Sequence, residues 1–212
     1  MAELCALCGK NAATTKDHIP PQGIYPKPRD NNINFNTVPA CSECNNGSSV
    51  EDEEFKVLMG ISTGEYHENP DIVIDWIART VGNNQKIANQ IFSTKQSVYA
   101  PLRGSALEPA IAVTFDGQKY SKVISRIVRG LYWLQKEGAL GRNPKITVFP
   151  TQGMKPDFAR SMKELMNCLE AHSLNKGTFV YKVQFCEDGT SIWGMQFFNK
   201  HTVFAYAESP ET

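Results

Sequence analysis

The stretch NTVPACSECNN, Asn36–Asn46, holds one of the two CxxC pairs of this chain. The other pair is CALC at Cys5–Cys8, and 32 residues separate the two pairs. Each pair can present two sulfurs on one side of a tight turn, and four thiolates match the tetrahedral coordination of zinc. Four sulfur ligands leave no position for substrate, so the sequence predicts a structural zinc site. Its ligands are Cys5, Cys8, Cys41 and Cys44.

A redox dithiol is the rival interpretation of these cysteines. Redox CxxC motifs normally occur once, in a βα context that this segment lacks. Residues 1–50 are rich in Asn, Pro, Gly and Cys and poor in periodic apolar positions. Such a module cannot bury a conventional core, and metal binding would supply the missing folding energy.

Composition and charge limit the classes of partner. The chain has 22 Lys plus Arg and 22 Asp plus Glu among its 212 residues, so no global field steers it towards nucleic acid or an anionic membrane. No apolar run approaches the roughly 18 residues of a membrane span, and MAELCALCGK lacks the features of a signal peptide. We therefore expect a cytoplasmic protein without a membrane partner. Cys168 and Cys186 lie in apolar-periodic segments and are expected to be buried thiols.

The pattern of apolar residues divides the chain into three parts, with an α+β fold class overall. Residues 1–60 form the cysteine-rich module, which ends in a helix predicted from Val50 to about Ile61. Residues 61–109 are predicted to be a helical connector, interrupted at GNN, Gly82–Asn84. Residues 110–212 are predicted to be a C-terminal α+β domain that positions substrate or mediates assembly.

The C-terminal part alternates strand and helix signals. A long amphipathic helix is predicted in KYSKVISRIVRGLYWLQKEG, ending near Gly138, and another in DFARSMKELMNCLEAH. Strands are predicted in AIAVTF, KITVF, TFVYKVQF, SIWGMQFF and TVFAYA. Short turns between the last three favour antiparallel pairing.

The residues between the cysteine pairs carry the functional signal. Asp17 and His18 stand in DHIPP, Asn36 precedes the second pair, and Asn45 and Asn46 follow it. Taken singly, the histidine is compatible with a solvated or structural role, and the asparagines with turns. Their order, however, resembles the HNH nucleases, whose core is a ββα-metal finger that a four-cysteine zinc site frames in many members. The resemblance covers roughly residues 5–50.

The resemblance implies a role for each motif residue. His18 would be the general base, Asp17 a metal ligand and Asn45 the second metal ligand. Asn36 would brace the loop behind the histidine, and Asn46 would replace Asn45 if the register shifts by one. A carboxylate and an amide oxygen suit a catalytic Mg²⁺ or Mn²⁺ that keeps positions for water and phosphate.

The implied activity is hydrolysis of phosphodiester bonds in DNA. Double-stranded DNA is the expected partner of such an endonuclease. The mechanism nicks one strand per active site and leaves 5′-phosphate and 3′-hydroxyl ends. Cutting both strands would require a homodimer or two successive nicks.

The polar face of the long predicted helix is the candidate nucleic-acid contact. Four of its cations could follow a phosphate backbone, although an ordinary solvated helix face explains them equally well. They are Lys119, Lys122, Arg126 and Arg129.

The chain departs from the family pattern after Asn45. Many members carry a basic residue there, whereas this chain has Gly47–Ser49 and then the acidic cluster Glu51–Glu54. The acidic residues suit a helix N-terminus; a partner contact or partial inhibition of substrate binding is the other interpretation. The missing basic residue and the neutral net charge favour an alternative function, a non-catalytic zinc-finger module that binds nucleic acid or protein. A structural adaptor within a larger complex is the third interpretation.

Overall fold

The computed structural model describes residues 3–27, 29, 33, 35–64, 69–100 and 106–208. The helices are α1 Ser42–Asn46, α2 Ser49–Thr63, α3 Pro70–Asn83, α4 Gln85–Thr94, α5 Gly117–Lys136 and α6 Pro156–Asn167. The strands are β1 Thr15–His18, β2 Thr37–Ala40, β3 Gln96–Ala100, β4 Glu108–Ala112, β5 Lys145–Pro150, β6 His172–Leu174, β7 Phe179–Phe185, β8 Ser191–Phe197 and β9 His201–Glu208. The predicted α+β class is confirmed.

The N-terminal module is a β-hairpin followed by a short helix. Strand β1 pairs antiparallel with β2, with Asp17 opposite Val38. Helix α1 starts directly after Cys41, which is its N-cap residue. The cysteine pairs lie before β1 and at the start of α1, so metal binding would tie the hairpin to the helix.

The segment after α2 is only partly helical. Helices α3 and α4 meet at Asn84, whose side chain accepts hydrogen bonds from the N–H groups of Lys86 and Ile87. The predicted interruption at GNN therefore corresponds to a helix N-cap. The connector is not helical throughout, because Gln96–Ala100 forms β3 and pairs antiparallel with β4. This short strand was missed because pairing with a later segment, rather than a local pattern, defines it.

Five antiparallel strands form the main sheet, in the order β5-β9-β8-β7-β6. Alternate side chains of β8, namely Trp193, Met195 and Phe197, are fully or almost fully buried on one face. On the other face, Gly194 lets α6 approach, since a Cβ there would lie 2.5 Å from Met166 Sδ. The sheet is therefore covered by α5 on its apolar face and by α6 on its opposite face.

Helix α5 joins the N-terminal module to the sheet. Asp116 caps it by accepting hydrogen bonds from Gln118 and Lys119, and it ends as predicted, before Gly138. Gly130 faces the side chain of Ile19 so closely that a Cβ at this position would overlap with it. One cluster of buried apolar residues includes members of the module, α2, α5 and the sheet. The expected parts 1–60 and 110–212 thus share a core.

The two cysteines outside the module differ in burial. Cys168 is exposed and Cys186 is half-buried, so the prediction of buried thiols is wrong for Cys168. This residue is the C-cap of α6 and lies off the apolar stripe that Met162, Leu165, Met166 and Leu169 form. None of the helices in the described part of the chain combines the length and apolar character needed to cross a membrane.

Candidate functional site

The four module cysteines converge on one point. Their Sγ atoms all lie within 4.8 Å of one another, and Cys8 Sγ is 4.0 Å from Cys41 Sγ. A tetrahedral zinc ion with Zn–S bonds of about 2.3 Å requires sulfurs about 3.8 Å apart. The four cysteines could therefore hold a metal ion such as zinc after a small contraction.

The surroundings of Cys41 favour a thiolate. Burial raises the pKa of this thiol, but hydrogen bonds from the N–H of Cys44, from the Cys44 side chain and from Asn11 outweigh burial and lower its pKa to about 7. Asn11 Nδ2 lies 3.7 Å from Cys41 Sγ. Burial raises the pKa of Cys5 despite N–H donors nearby. Donors directed at sulfur stabilise the anionic form that binds metal.

Asp17, on strand β1 of the hairpin, is buried, with 7% of the residue's surface exposed. Its Oδ1 accepts a hydrogen bond from the N–H of His18 at 2.8 Å. Its Oδ2 lies 3.4 Å from Arg126 Nε, and both of these buried atoms lack a hydrogen-bond partner. Burial raises the pKa of Asp17, although Arg126 acts in the opposite direction.

Arg126, on α5, contacts a second carboxylate. Its Nη2 donates to Asp52 Oδ1 at 2.5 Å, and Asp52 lies in the first turn of α2. Burial raises the pKa of Asp52; Arg126 opposes this shift and the charge of Asp17 adds to it. Two carboxylates thus share one guanidinium, and with all three charged the group carries a net charge of −1.

His18 lies at the end of β1, one residue after Asp17. Consecutive strand residues project to opposite faces, and the His18 ring stands edge-on to Phe35 at 6.0 Å between centroids. Asn36 accepts a hydrogen bond from the N–H of Ile19 through its main-chain oxygen, at 2.9 Å. This contact does brace the chain after the histidine, but it does not require an asparagine side chain.

Asn45 connects α1 to the hairpin. Its Nδ2 donates to Thr15 Oγ1 and to the Lys16 carbonyl oxygen, both at 3.2 Å. Because a carbonyl can only accept, the contacting atom must be the amide nitrogen, and Asn45 Oδ1 is directed elsewhere. Thr15 and Asp17 project to the same face of β1, so Asn45 lies on the Asp17 side of the hairpin. Asn46 is exposed at the end of α1.

The predicted basic stripe of α5 is largely neutralised. Lys119 pairs with Glu54 at 2.6 Å and Lys122 with Glu51 at 3.1 Å. The expectation of solvent-facing cations is wrong for Arg126, which is buried between Asp17 and Asp52. Arg129 Nη1 donates to the Leu7 carbonyl oxygen at 2.7 Å, which ties α5 to the first cysteine pair. The acidic residues of α2 therefore bind α5, a role that neither interpretation of the acidic cluster included.

A cleft of about 630 Å³ lies between α5 and the cysteine cluster. We call it the α5 cleft. It is lined by Leu7, Cys44, Gly117, Gln118, Ser121, Lys122, Ser125, Arg126, Arg129, Pro144 and Ile146. No carboxylate is among these residues. The charge pattern of α5 in the sequence identifies the cationic residues of this cleft. No local pattern in the sequence indicates that Ser121 and Ser125 line the cleft with them.

Comparison of the chain with protein-family models, with curated proteins and with solved structures finds no match. The resemblance to HNH nucleases therefore rests on the motif residues of the sequence alone. Asp52 is a member of the Asp17–Arg126 group that sequence reasoning missed, since it stands in an acidic run with no local sign of a buried partner.

Proposed function

We propose that this protein is a metal-dependent endonuclease of the HNH type that hydrolyses phosphodiester bonds in DNA. The observation that carries the proposal is the hairpin-plus-helix unit β1–β2–α1 with the four cysteines clustered at its base. Asp17 and Asn45 lie on one side of this unit, and His18 lies at the end of the same strand. In this proposal, zinc at the four cysteines is structural.

In this proposal, Asp17 and Asn45 would hold a second, hard cation such as Mg²⁺ or Mn²⁺. Asp17 Oδ2 is buried without a hydrogen-bond partner, and Asn45 turns its amide nitrogen, not its oxygen, towards the hairpin. Carboxylate and amide oxygens are ligands that such cations accept. When bound, the cation would neutralise charge on the phosphate and the leaving oxygen.

His18 would accept the proton of the attacking water. Its ring projects away from the Asp17 face, which corresponds to a base acting on the opposite side of the scissile bond from the cation. Removing such a base lowers the rate by about 10² to 10⁴. Asp17 and Asn45 would orient the phosphate through the cation.

The test is incubation of purified protein with supercoiled plasmid and Mg²⁺ or Mn²⁺. We expect the native protein to produce nicked circles, and we expect His18→Ala to nick at least about 100-fold more slowly. Zinc content, measured by mass spectrometry, must be the same in both proteins, so that loss of fold does not explain loss of activity. Equal nicking by both proteins would rule out His18 as the base.

A specific observation favours a second candidate, a non-catalytic module that binds nucleic acid or protein. The Asp17 carboxylate faces Arg126 rather than an open position, and no basic residue follows Asn45 directly. DNA binding without any nicking, in both metals, would support this candidate over the nuclease.

A further inference from the structure

The α5 cleft has the chemistry of a phosphate site. It combines three cationic side chains with two serine hydroxyls, and the cations sit one to two helical turns apart on α5. Arginine, lysine and serine are common donors to phosphate oxygens. Glu43 and Glu51 line the adjoining pocket near Gly47 and do not line this cleft. The anion-binding part is therefore the side that Ser121, Ser125 and Arg129 share.

Arg126 belongs both to this cleft and to the proposed cation site. It holds its two carboxylates unequally: Asp52 receives a hydrogen bond at 2.5 Å, whereas Asp17 Oδ2 is 3.4 Å from Nε and makes none. A buried ion pair without its hydrogen bonds is poorly compensated for desolvation. The guanidinium can therefore leave Asp17 at lower cost than it can leave Asp52.

We propose that the α5 cleft binds a phosphate group of the DNA backbone, and that Arg126 turns to this phosphate from Asp17, which frees Asp17 for the catalytic cation. The second half of this inference rests on the proposed nuclease function; phosphate binding does not. In the free protein, Arg126 closes the cation site. With substrate bound, the charges balance, because two carboxylates and one phosphate carry −3 and Arg126 with a divalent cation carries +3.

The cleft is tested by DNA binding without catalysis. Ser125→Glu places a carboxylate in the cleft, and Ser161→Glu makes the same change on an exposed site of α6. The probe is a short fluorescein-labelled duplex, followed by anisotropy in buffer without Mg²⁺ or Mn²⁺. We expect Ser125→Glu to weaken binding about ten-fold or more, and Ser161→Glu to leave the Kd within about two-fold. Equal affinities for the two variants would overturn the cleft as the phosphate site.

The role of Arg126 is tested by Mn²⁺ binding, measured from the electron paramagnetic resonance of free Mn²⁺ in the absence of DNA. Removing Arg126 alone leaves the buried Asp17 and the half-buried Asp52 without their shared cation, so the double variant Arg126→Gln, Asp52→Asn is compared with Asp52→Asn. We expect the double variant to bind one Mn²⁺ about ten-fold more tightly, and further change of Asp17→Asn to abolish this binding. Unchanged Mn²⁺ affinity in the double variant would overturn the coupling.

The two measurements separate the proposals. If cleft variants weaken DNA binding but no variant binds Mn²⁺ or nicks plasmid, the nuclease function and the Arg126 coupling fail and the phosphate site stands. If the native protein nicks plasmid but Ser125→Glu binds DNA normally, the nuclease function stands and the cleft inference fails.

Discussion

The hairpin module and the five-stranded sheet are both antiparallel β structures, but they differ in length and in the side chains that they bury. The strands β1 and β2 have four residues each, and the four clustered cysteines lie at their base. The sheet has strands of up to eight residues and buries large side chains such as Trp193, Phe179 and Phe197. A short hairpin buries too little apolar surface to fold alone, whereas the sheet has its own apolar face.

This difference explains where the candidate chemistry lies. A module that a metal–thiolate site stabilises can keep a carboxylate, an amide and an imidazole in its short strands and helix, since less of its stability has to come from apolar side chains at those positions. The sheet buries its large apolar side chains on one face, and this burial stabilises it. Helix α5 belongs to both, with apolar residues on the sheet and Arg126 and Arg129 on the module.

The largest effect is expected from breaking the cysteine cluster. Cys44→Ser should abolish zinc binding at the cluster, which contributes on the order of 10 kcal/mol in small zinc-binding peptides. We expect hydrogen exchange of β1 and β2 to lose protection while β7 to β9 keep theirs. Cys168→Ser, at an exposed cysteine outside the cluster, is the control and should change neither metal content nor exchange. Loss of protection in the sheet to the same extent would show that the two regions fold as one unit.

The complementary change weakens the sheet. Phe197 is fully buried and its ring contacts Phe55, Phe179 and His201. Phe197→Ala should lower the free energy of unfolding by about 3–5 kcal/mol, measured by urea denaturation at fixed zinc. Phe92→Ala, at an exposed ring on α4, should change it by less than about 0.5 kcal/mol. A small effect at Phe197 would mean that the metal site, not the apolar face, dominates stability.

Acid should act on the sheet through His201. Burial lowers the pKa of this histidine to about 4; Tyr120 Oη, 2.8 Å from its Nε2, is the titratable group facing it. Between pH 6.5 and 4 the unfolded chain binds a proton that the folded protein does not, so stability falls as pH falls. The loss begins near pH 6.5, is complete below pH 4 and amounts to about 3 kcal/mol.

This dependence is measured by urea unfolding of the native protein and of His201→Gln at pH 7 and pH 4.5. The variant is expected to be less stable at pH 7 but to lose less stability on acidification. Parallel pH profiles for the two proteins would show that His201 does not carry the effect.

The contact between the two regions is tested at Gly130. Gly130→Ala places a methyl group into the side chain of Ile19, and overpacking of this kind costs about 1–3 kcal/mol. Gly82→Ala is the matched change in α3, where nothing beyond the neighbouring residues and the backbone of the helix itself lies within 4 Å of the new Cβ. Because alanine favours a helix over glycine, that control should stabilise by about 0.5–1 kcal/mol. If Gly130→Ala and Gly82→Ala changed the free energy of unfolding equally, α5 would not be packed closely against the module at Gly130.

Sequence reasoning reached the parts of the fold that have a local signal. The apolar period of α5 predicts its extent and buried stripe, and the Cys spacing predicts that four thiols converge. The signal for β3 is absent, because its partner strand begins only at Glu108. The burial of Cys168 was predicted wrongly for a related reason. The apolar period describes the interior of a helix and does not show which residue at its end reaches the core.

The candidate site shows the same division. The motif in the sequence points to Asp17, His18 and Asn45. The sequence also predicts that Asp17 and His18 lie on opposite faces of β1, because strand alternation is a local property. Only tertiary packing decided two further features of the site. Asp17 is paired with Arg126, 109 positions later, and Glu51 and Glu54 neutralise lysines of α5. Ion pairs form between side chains that the folded backbone brings together, and no local pattern records which carboxylate meets which cation.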